Sequence, residues 1–535
     1  MSIYKRIGWL SRSRSYRSIL SSLLLGLMVG CQDLKDIQQL DPLRGVVFKI
    51  SYEPSPTTIQ GLVVDAKTGT PLSVPVQVTI FGPDANRVVS YEGEAVSTFQ
   101  SPKADLFLGL KGEVPSSSKP AELRIVVSAT GYIRSSIYLF IDKARPEPFS
   151  IRLVKKTDPP AGVVLNQEGV ETATTGVTKQ AKIITTPTNA SMTSRATVTI
   201  PANILLTDAK GQPVSGNLSA QMVAYSSQTE LSLRAFPGGF TTRVTRDDEG
   251  NANVKGTFSP IGYLSIELTS ASGQKVATLS QPVIATLEIA GQLKNPQTGQ
   301  PLKLGDQLPV FSYNENTGEW TYEQHVPLTQ AVTGLVVSIP VRHLSGYHLA
   351  FWTPSGNCVK GGQWVLSGKP EGKPIKWVLY NANQQYVSDG LSSENTITIP
   401  RLSSGTARLD LFSPDGKLVG SSMVSDACGS HTVSVTYPQN LIDLDISVTA
   451  YCENRTDIVV SPSVWVRYRK VGADIWQQSF LTAGQGKLVG LEPNTEYEAG
   501  VDYNGFNSVR INSGQTSGNQ TIRIKLPDTI SICQQ

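Results

Sequence analysis

The chain has 535 residues, with 47 lysines and arginines against 43 aspartates and glutamates and four histidines. This length exceeds what one hydrophobic core organises, so several domains are expected. The positive excess is confined to the first 17 residues, where Lys5, Arg6, Arg12, Arg14 and Arg17 stand with no acid. The rest is almost neutral, which excludes the basic footprint of a nucleic-acid binder. Abundant Ser, Thr, Val and Gly, 33 prolines and no long Ala/Leu/Glu/Lys stretch point to an all-β chain.

After the basic leader, an apolar run from Ile19 to Gly30 ends at Cys31. A basic region, a short apolar region and small residues at the cut read as a signal peptide over residues 1–30. The run is too short to span a bilayer as a mature helix. Met28-Val29-Gly30-Cys31 resembles the bacterial lipobox, in which the cysteine takes a diacylglycerol and becomes the new N-terminus. The resemblance implies lipidation at Cys31 and a membrane partner through the lipid. With Gln32 rather than Asp next, it also resembles lipoproteins sent to the outer membrane, with periplasmic or surface-facing orientation left open. An uncleaved signal anchor, or an ordinary signal peptide with a coincidental cysteine, is the alternative.

Residues 31–56 read as a polar tether. From residue 57 the chain repeats one pattern, an alternating strand, a Gly turn, a Pro and another strand. The turn is Asp65-Ala66-Lys67-Thr68-Gly69-Thr70-Pro71, then Asp208-Ala209-Lys210-Gly211-Gln212-Pro213, then Asn295-Pro296-Gln297-Thr298-Gly299-Gln300-Pro301, and more loosely Ser413-Pro414-Asp415-Gly416. Gly supplies a positive φ and Asp or Asn caps the turn locally. In residues 57–156, Gly61-Leu62-Val63-Val64-Asp65 leads into the first turn, Val74 to Ile80 alternates with period two, and Gly131-Tyr132 precedes a closing strand Phe149 to Val154. This order resembles the carboxypeptidase regulatory-like, transthyretin-type sandwich, a non-catalytic module. Such modules on lipoproteins resemble proteins of the Bacteroidota.

Residues 157–180, rich in Pro, Thr and Gly, read as a linker. A second sandwich is expected over 181–290 and a β subdomain over 291–355, where Thr317-Gly318-Glu319-Trp320 resembles a block of cartilage intermediate-layer protein. A sandwich with a disulfide is expected over 356–440. In 441–535, Val464-Trp465-Val466-Arg467-Tyr468-Arg469 and Leu491-Glu492-Pro493-Asn494-Thr495-Glu496-Tyr497 resemble the fibronectin type III pattern with its tyrosine corner. The fold class is therefore all-β, with tandem β-sandwich domains after a lipoprotein signal peptide. Stacked end to end, they would make an anchored stalk.

With Cys31 lipidated, Cys358, Cys428, Cys452 and Cys533 form an even set in an exported chain, which suggests two disulfides. Three connectivities are open, and neighbourhood favours Cys358–Cys428 and Cys452–Cys533. No Cys-x-x-Cys, His-Glu-x-x-His, Gly-x-Ser-x-Gly or phosphate-binding loop occurs. His343 and His348, five apart, read as opposite faces of a strand and as solvent-exposed, like His325 and His431. The turn Asp247, Asp248, Glu249, Asn251, Asn253 is an exposed hairpin, with Ca²⁺ binding the alternative. Trp320, Tyr322, Tyr313 and Tyr347 read as core fillers, with a sugar platform the alternative. No catalytic residue, metal or cofactor is called. The expected function is a non-enzymatic cell-envelope lipoprotein presenting β-sandwich modules for adhesion or ligand binding, its partner an unknown protein or glycan. The alternatives are a carbohydrate-binding accessory in polysaccharide capture and, less favoured, a hydrolase resting on carboxylates such as Glu319 or Asp306.

Overall fold

The computed structural model describes residues 48–52, 55–90, 93–290, 292–356, 358, 361–438, 440–453, 458–473, 475–502, 506–515 and 518–526. The leader, Cys31 and Cys533 lie outside them. Those residues form a multidomain all-β structure, with one five-residue α-helix at Glu230–Arg234.

The first module packs two four-stranded sheets face to face. One holds Val88–Ser90, Asp105–Leu110, Thr57–Asp65 and Phe149–Leu153, and the other Thr98–Ser101, Val76–Phe81, Ala121–Ala129 and Ser135–Ile141, in those orders. Val76, Val78 and Ile80 are buried while Gln77 is exposed, as a half-buried strand requires. The closing strand runs parallel to the first, with Gly61 opposite Phe149. A Cβ on Gly61 would sit 2.5 Å from that ring, so any larger residue would have to displace it.

The second unit departs from the expected boundaries. Residues 163–172, read from composition as linker, form a ten-residue strand paired antiparallel with Gly216–Tyr225 from Val163↔Tyr225 to Thr172↔Gly216. The two pieces expected to divide at residue 290 share one twelve-stranded sheet. The reason is Glu319–Ala331, long enough to serve both ends: Glu319 to Pro327 pairs with Gln307–Asn314, and Leu328 to Ala331 pairs with Gly334 to Val337. Thr278–Glu288 then pairs with that last strand, and one apolar core runs from Val164 to Phe351.

The third module packs a three-stranded sheet (Thr396–Ile399, Gly362–Ser367, Gly429–Ser434) on a four-stranded one (Tyr386–Ser392, Ile375–Asn381, Ala407–Phe412, Leu418–Val424). Cys358 and Cys428 are bonded, with Cα atoms 5.6 Å apart, just before the parallel pair Gly362↔Gly429. The fourth sets Gln477–Leu481, Val464–Lys470, Glu496–Asp502 and Phe506–Asn512 against a five-stranded sheet. The Glu492 N–H donates to the Tyr497 hydroxyl at 2.9 Å, which closes the corner expected at Leu491-Glu492-Pro493. Cys452 is disulfide-bonded.

The four turns share one chemistry in two lengths. At Asp65 and Asn295 the Gly69 and Gly299 N–H groups return to the carbonyl four residues back, both at 2.8 Å. At Asp208 and Ser413 the return spans three residues, Gly211 to Asp208 and Gly416 to Ser413. The glycines have φ between 69° and 84°, where other side chains are strained.

The end of the expected tether corrects the stalk picture. Phe48–Tyr52 is a strand of the fourth module, paired parallel with Ile458–Pro462 from Phe48↔Ile458 to Tyr52↔Pro462. The Gln60 side chain also bonds both main-chain groups of Trp465, at 3.2 and 3.3 Å. Arg124–Glu319 (2.9 Å) and Tyr313–Ser136 (2.7 Å) join the first module to the second. Gln385 donates to the Ser227 and Pro260 carbonyls, both at 2.8 Å, joining the third to the second, and Lys373–Asp443 joins the third to the fourth. The modules therefore close into a ring, first to second, second to third, third to fourth and fourth back to first.

Candidate binding cleft

The ring encloses a cleft of about 1130 Å³ with walls from all four modules. Period-two alternation builds one wall. In Val464–Lys470, Val464, Val466 and Tyr468 point into the core, so Trp465, Arg467 and Arg469 point out of it and line the cleft. The Arg467 guanidinium lies 4.3 Å from the Trp476 ring centre and 4.1 Å from that of Phe506. Arg469 lies 4.3 Å from Trp476 and pairs with Glu498 at 3.1 Å. Arginine keeps its charge on such aromatic faces at little desolvation cost.

A second wall comes from the first and third modules. Arg401 sits in the turn after Thr396–Ile399 with φ of 61°, a conformation uncommon for a residue with a side chain. Its guanidinium lies 4.6 Å from the Tyr138 ring centre and 4.7 Å from that of Phe140. Its Nε and Nη1 are buried without a hydrogen-bond partner among the described residues. Burial depresses its pKa to about 10, so it stays charged at neutral pH.

Behind it, Glu122 accepts hydrogen bonds from Tyr138 and Lys255 and lies 3.7 Å from Arg243. Burial raises the Glu122 pKa, but the bonds from Lys255 and Tyr138 and the two positive charges outweigh it and keep the carboxylate ionised. Arg234 of the second unit pairs with Asp389 of the third module and lies 4.5 Å from the Tyr386 ring centre. Burial pushes Lys376 down, with Asp389 opposing. Seven cationic against five anionic side chains line the cleft, a positive site in a nearly neutral protein.

The residues singled out in the sequence lie elsewhere. Trp320, Tyr313 and Tyr347 are core residues, as the filling role requires, and Tyr322 is partly buried with its hydroxyl 2.6 Å from His325 Nδ1. His343 and His348 are on successive strands rather than on two faces of one, because a turn at 344–345 separates them. His343 is partly exposed and 3.4 Å from Glu323. His348 corrects the expectation of exposure: it is fully buried among Phe236, Phe258 and Trp320, with ring centres at 4.5, 5.0 and 5.4 Å. His431 stacks near Trp364 at 5.1 Å.

Asp247 is buried and spends its carboxylate on the N–H groups of Glu249 and Asn251 and the Asn251 amide, which shapes the turn. Glu319 is committed to Arg124, and Asp306 accepts from the Lys303 N–H at 2.9 Å. Among the described residues no group of three or more His, Cys, Asp or Glu comes together as a metal site. Arg401, Arg467 and Trp476 were not singled out from sequence. The alternation Trp465-Arg467-Arg469 was the available signal for one wall, while nothing local marks Arg401.

No family model matches the chain, and no curated protein matches it. Among solved structures it is similar to GBS52, the minor pilin of Streptococcus agalactiae, at 11% identity and TM-score 0.14, covering 32% of this chain and 98% of that one. It is similar to the shaft pilin spaA of Lactobacillus rhamnosus GG at 10% identity and TM-score 0.13, covering 31% and 100%. The Bacillus anthracis TIE protein matches at 9% and 0.12, covering 68% and 74%.

Proposed function

We propose that this chain is a non-enzymatic binding protein of the cell envelope, anchored through Cys31, that captures a ligand in the cleft enclosed by its four modules. One observation carries the reading: arginines mounted on aromatic faces line a large cleft to which every module contributes a wall. Binding needs a rigid scaffold with convergent polar and aromatic groups, and closure of the ring supplies the rigidity. A lipid on Cys31 supplies the attachment, since acyl chains add about 0.8 kcal/mol per buried CH₂.

Trp377, Trp465 and Trp476 also line the cleft, and they favour carbohydrate capture as the second reading. The test is the full mature chain screened against arrays of surface proteins and glycans, alongside peptide, ester and glycoside hydrolysis assays. Binding that Trp476→Ala weakens at least tenfold, without turnover, supports the proposal. Turnover that survives repurification, or binding indifferent to every cleft variant, overturns it. Cys31→Ser is expected to release the protein from membranes and abolish labelling by an alkyne fatty acid.

A further inference from the structure

We propose that the cleft takes an extended, acidic segment of a partner polypeptide, added as a strand along the open edge of Ser135–Ile141 and read through Arg401. This rests on the binding role proposed above and names its ligand class.

Ser135–Ile141 is the last strand of its sheet and is paired on one side only, with Ala121–Ala129. The Ser136 carbonyl accepts the Gly238 N–H at 3.0 Å, so the Ser136 main chain points away from Ala121–Ala129. By the alternation of a strand, the main-chain groups of Tyr138 and Phe140 point the same way. No main-chain partner for them occurs among the described residues. Every residue from Ser135 to Ile141 lines the cleft, so the edge opens into it. Gly238 has taken the first rung, and the next two are vacant.

The edge also lacks the usual guards. Ser-Ser-Ile-Tyr-Leu-Phe-Ile has no charge and no proline, the devices by which exposed edges avoid foreign strands.

Charge names the segment. The Tyr138 and Phe140 side chains share one face of the strand, and Arg401 lies over both rings. A strand laid along this edge places alternate side chains on that face, about 5 Å from their cross-strand neighbours. A carboxylate there would meet the positive charge of the Arg401 guanidinium, whose Nε and Nη1 have no hydrogen-bond partner among the described residues. The nearby Glu122 is already shared among Tyr138, Lys255 and Arg243. A polypeptide fits better than a glycan because the vacant donors and acceptors recur at the two-residue spacing of a strand, which only another backbone matches.

The test uses the full mature chain and a fluorescein-labelled decapeptide of alternating Glu and Val, read by anisotropy. The expected result is binding that weakens with salt, falls at least tenfold in Arg401→Gln, and falls at least tenfold in Phe140→Pro. The proline removes an outward N–H that the sheet does not use, but also the ring under Arg401, so Phe140→Ala, which loses the ring and keeps the N–H, is the control and should bind the peptide more tightly than Phe140→Pro. Two further probes work on the unaltered protein: the same peptide N-methylated at alternate residues, and a Lys-Val decapeptide. Neither should bind. Equal binding of either, or no binding of the Glu-Val peptide, overturns the proposal. If an oligogalacturonate binds instead and loses affinity in Trp476→Ala, the peptide assignment falls while the cleft stands as a binding site. If array binding is indifferent to all cleft variants, both fall.

Discussion

At the scale of single residues, His348 and Glu315 give the protein opposed responses to acid. Burial alone pushes the His348 pKa well below its ordinary value. The folded imidazole therefore stays neutral, while the unfolded one charges below about pH 6.5. The stability this group contributes is full above that pH and is lost as pH falls, at about 1.4 kcal/mol per pH unit. Glu315 is the reverse. Burial, with Glu267 adding to it, raises its pKa to about 7. Folded Glu315 takes its proton near pH 7 and the unfolded one near 4.5, so acidification through that window favours the fold. Between pH 6.5 and 4.5 the two slopes oppose each other. His348→Phe, which keeps a ring among Phe236, Phe258 and Trp320, should make thermal stability rise on acidification relative to wild type. Glu315→Gln should make it fall. Melting curves at pH 7, 6 and 5 check both, and equal slopes in all three proteins would refute the assignment.

At the scale of elements, caps, corners and staples hold the sandwiches. Tyr497→Phe removes the acceptor of the Glu492 N–H and should cost about 1–2 kcal/mol by denaturant unfolding. Tyr468, whose hydroxyl donates to the Val489 carbonyl at 2.8 Å, should behave alike. The Cys358–Cys428 bond spans 70 residues, so replacing both cysteines with alanine should cost roughly 4 kcal/mol in the chain-entropy model. In the central unit, Leu264 is fully buried, and Leu264→Ala should cost about 2–5 kcal/mol. Because that sheet spans both expected pieces, the loss should appear in one transition covering residues 163–354. Two separate transitions there would contradict the shared core.

At the scale of the whole molecule, ring closure is the property to test. Ile458–Pro462 pairs along five residues with Phe48–Tyr52 but meets Ile442–Cys452 at Ala450↔Val460 and Tyr451↔Val459. Deleting residues 48–52 should therefore strip hydrogen-exchange protection from those amides of 458–461 that face the deleted strand and leave the third module unchanged. It should also loosen the wall carrying Trp465 and Arg467, because Gln60 ties that strand to the first module from a short distance beyond the deletion. Unchanged protection at 458–461 would mean that the first strand is not an integral part of the fourth module.

The sequence by itself determined what depends on neighbours in the chain. The all-β class, the glycine turns after Asp65, Asp208, Asn295 and Ser413, the alternating faces of Val74 to Ile80 and the corner at Tyr497 all follow from period-two alternation and local hydrogen bonding. The strand at 163–172 was hidden because the Pro, Thr and Gly around it gave residues 157–180 a linker composition, although Val163, Val164 and Val170 carried a weak strand signal. Tertiary structure alone decided the rest. His348 is buried because the turn at 344–345 redirects the chain, Phe48–Tyr52 joins a partner some 400 residues away, and Arg401 reaches aromatic rings of another module. Contacts at such separations are selected by the packing of whole sheets and the closure of long loops, and no local pattern encodes them.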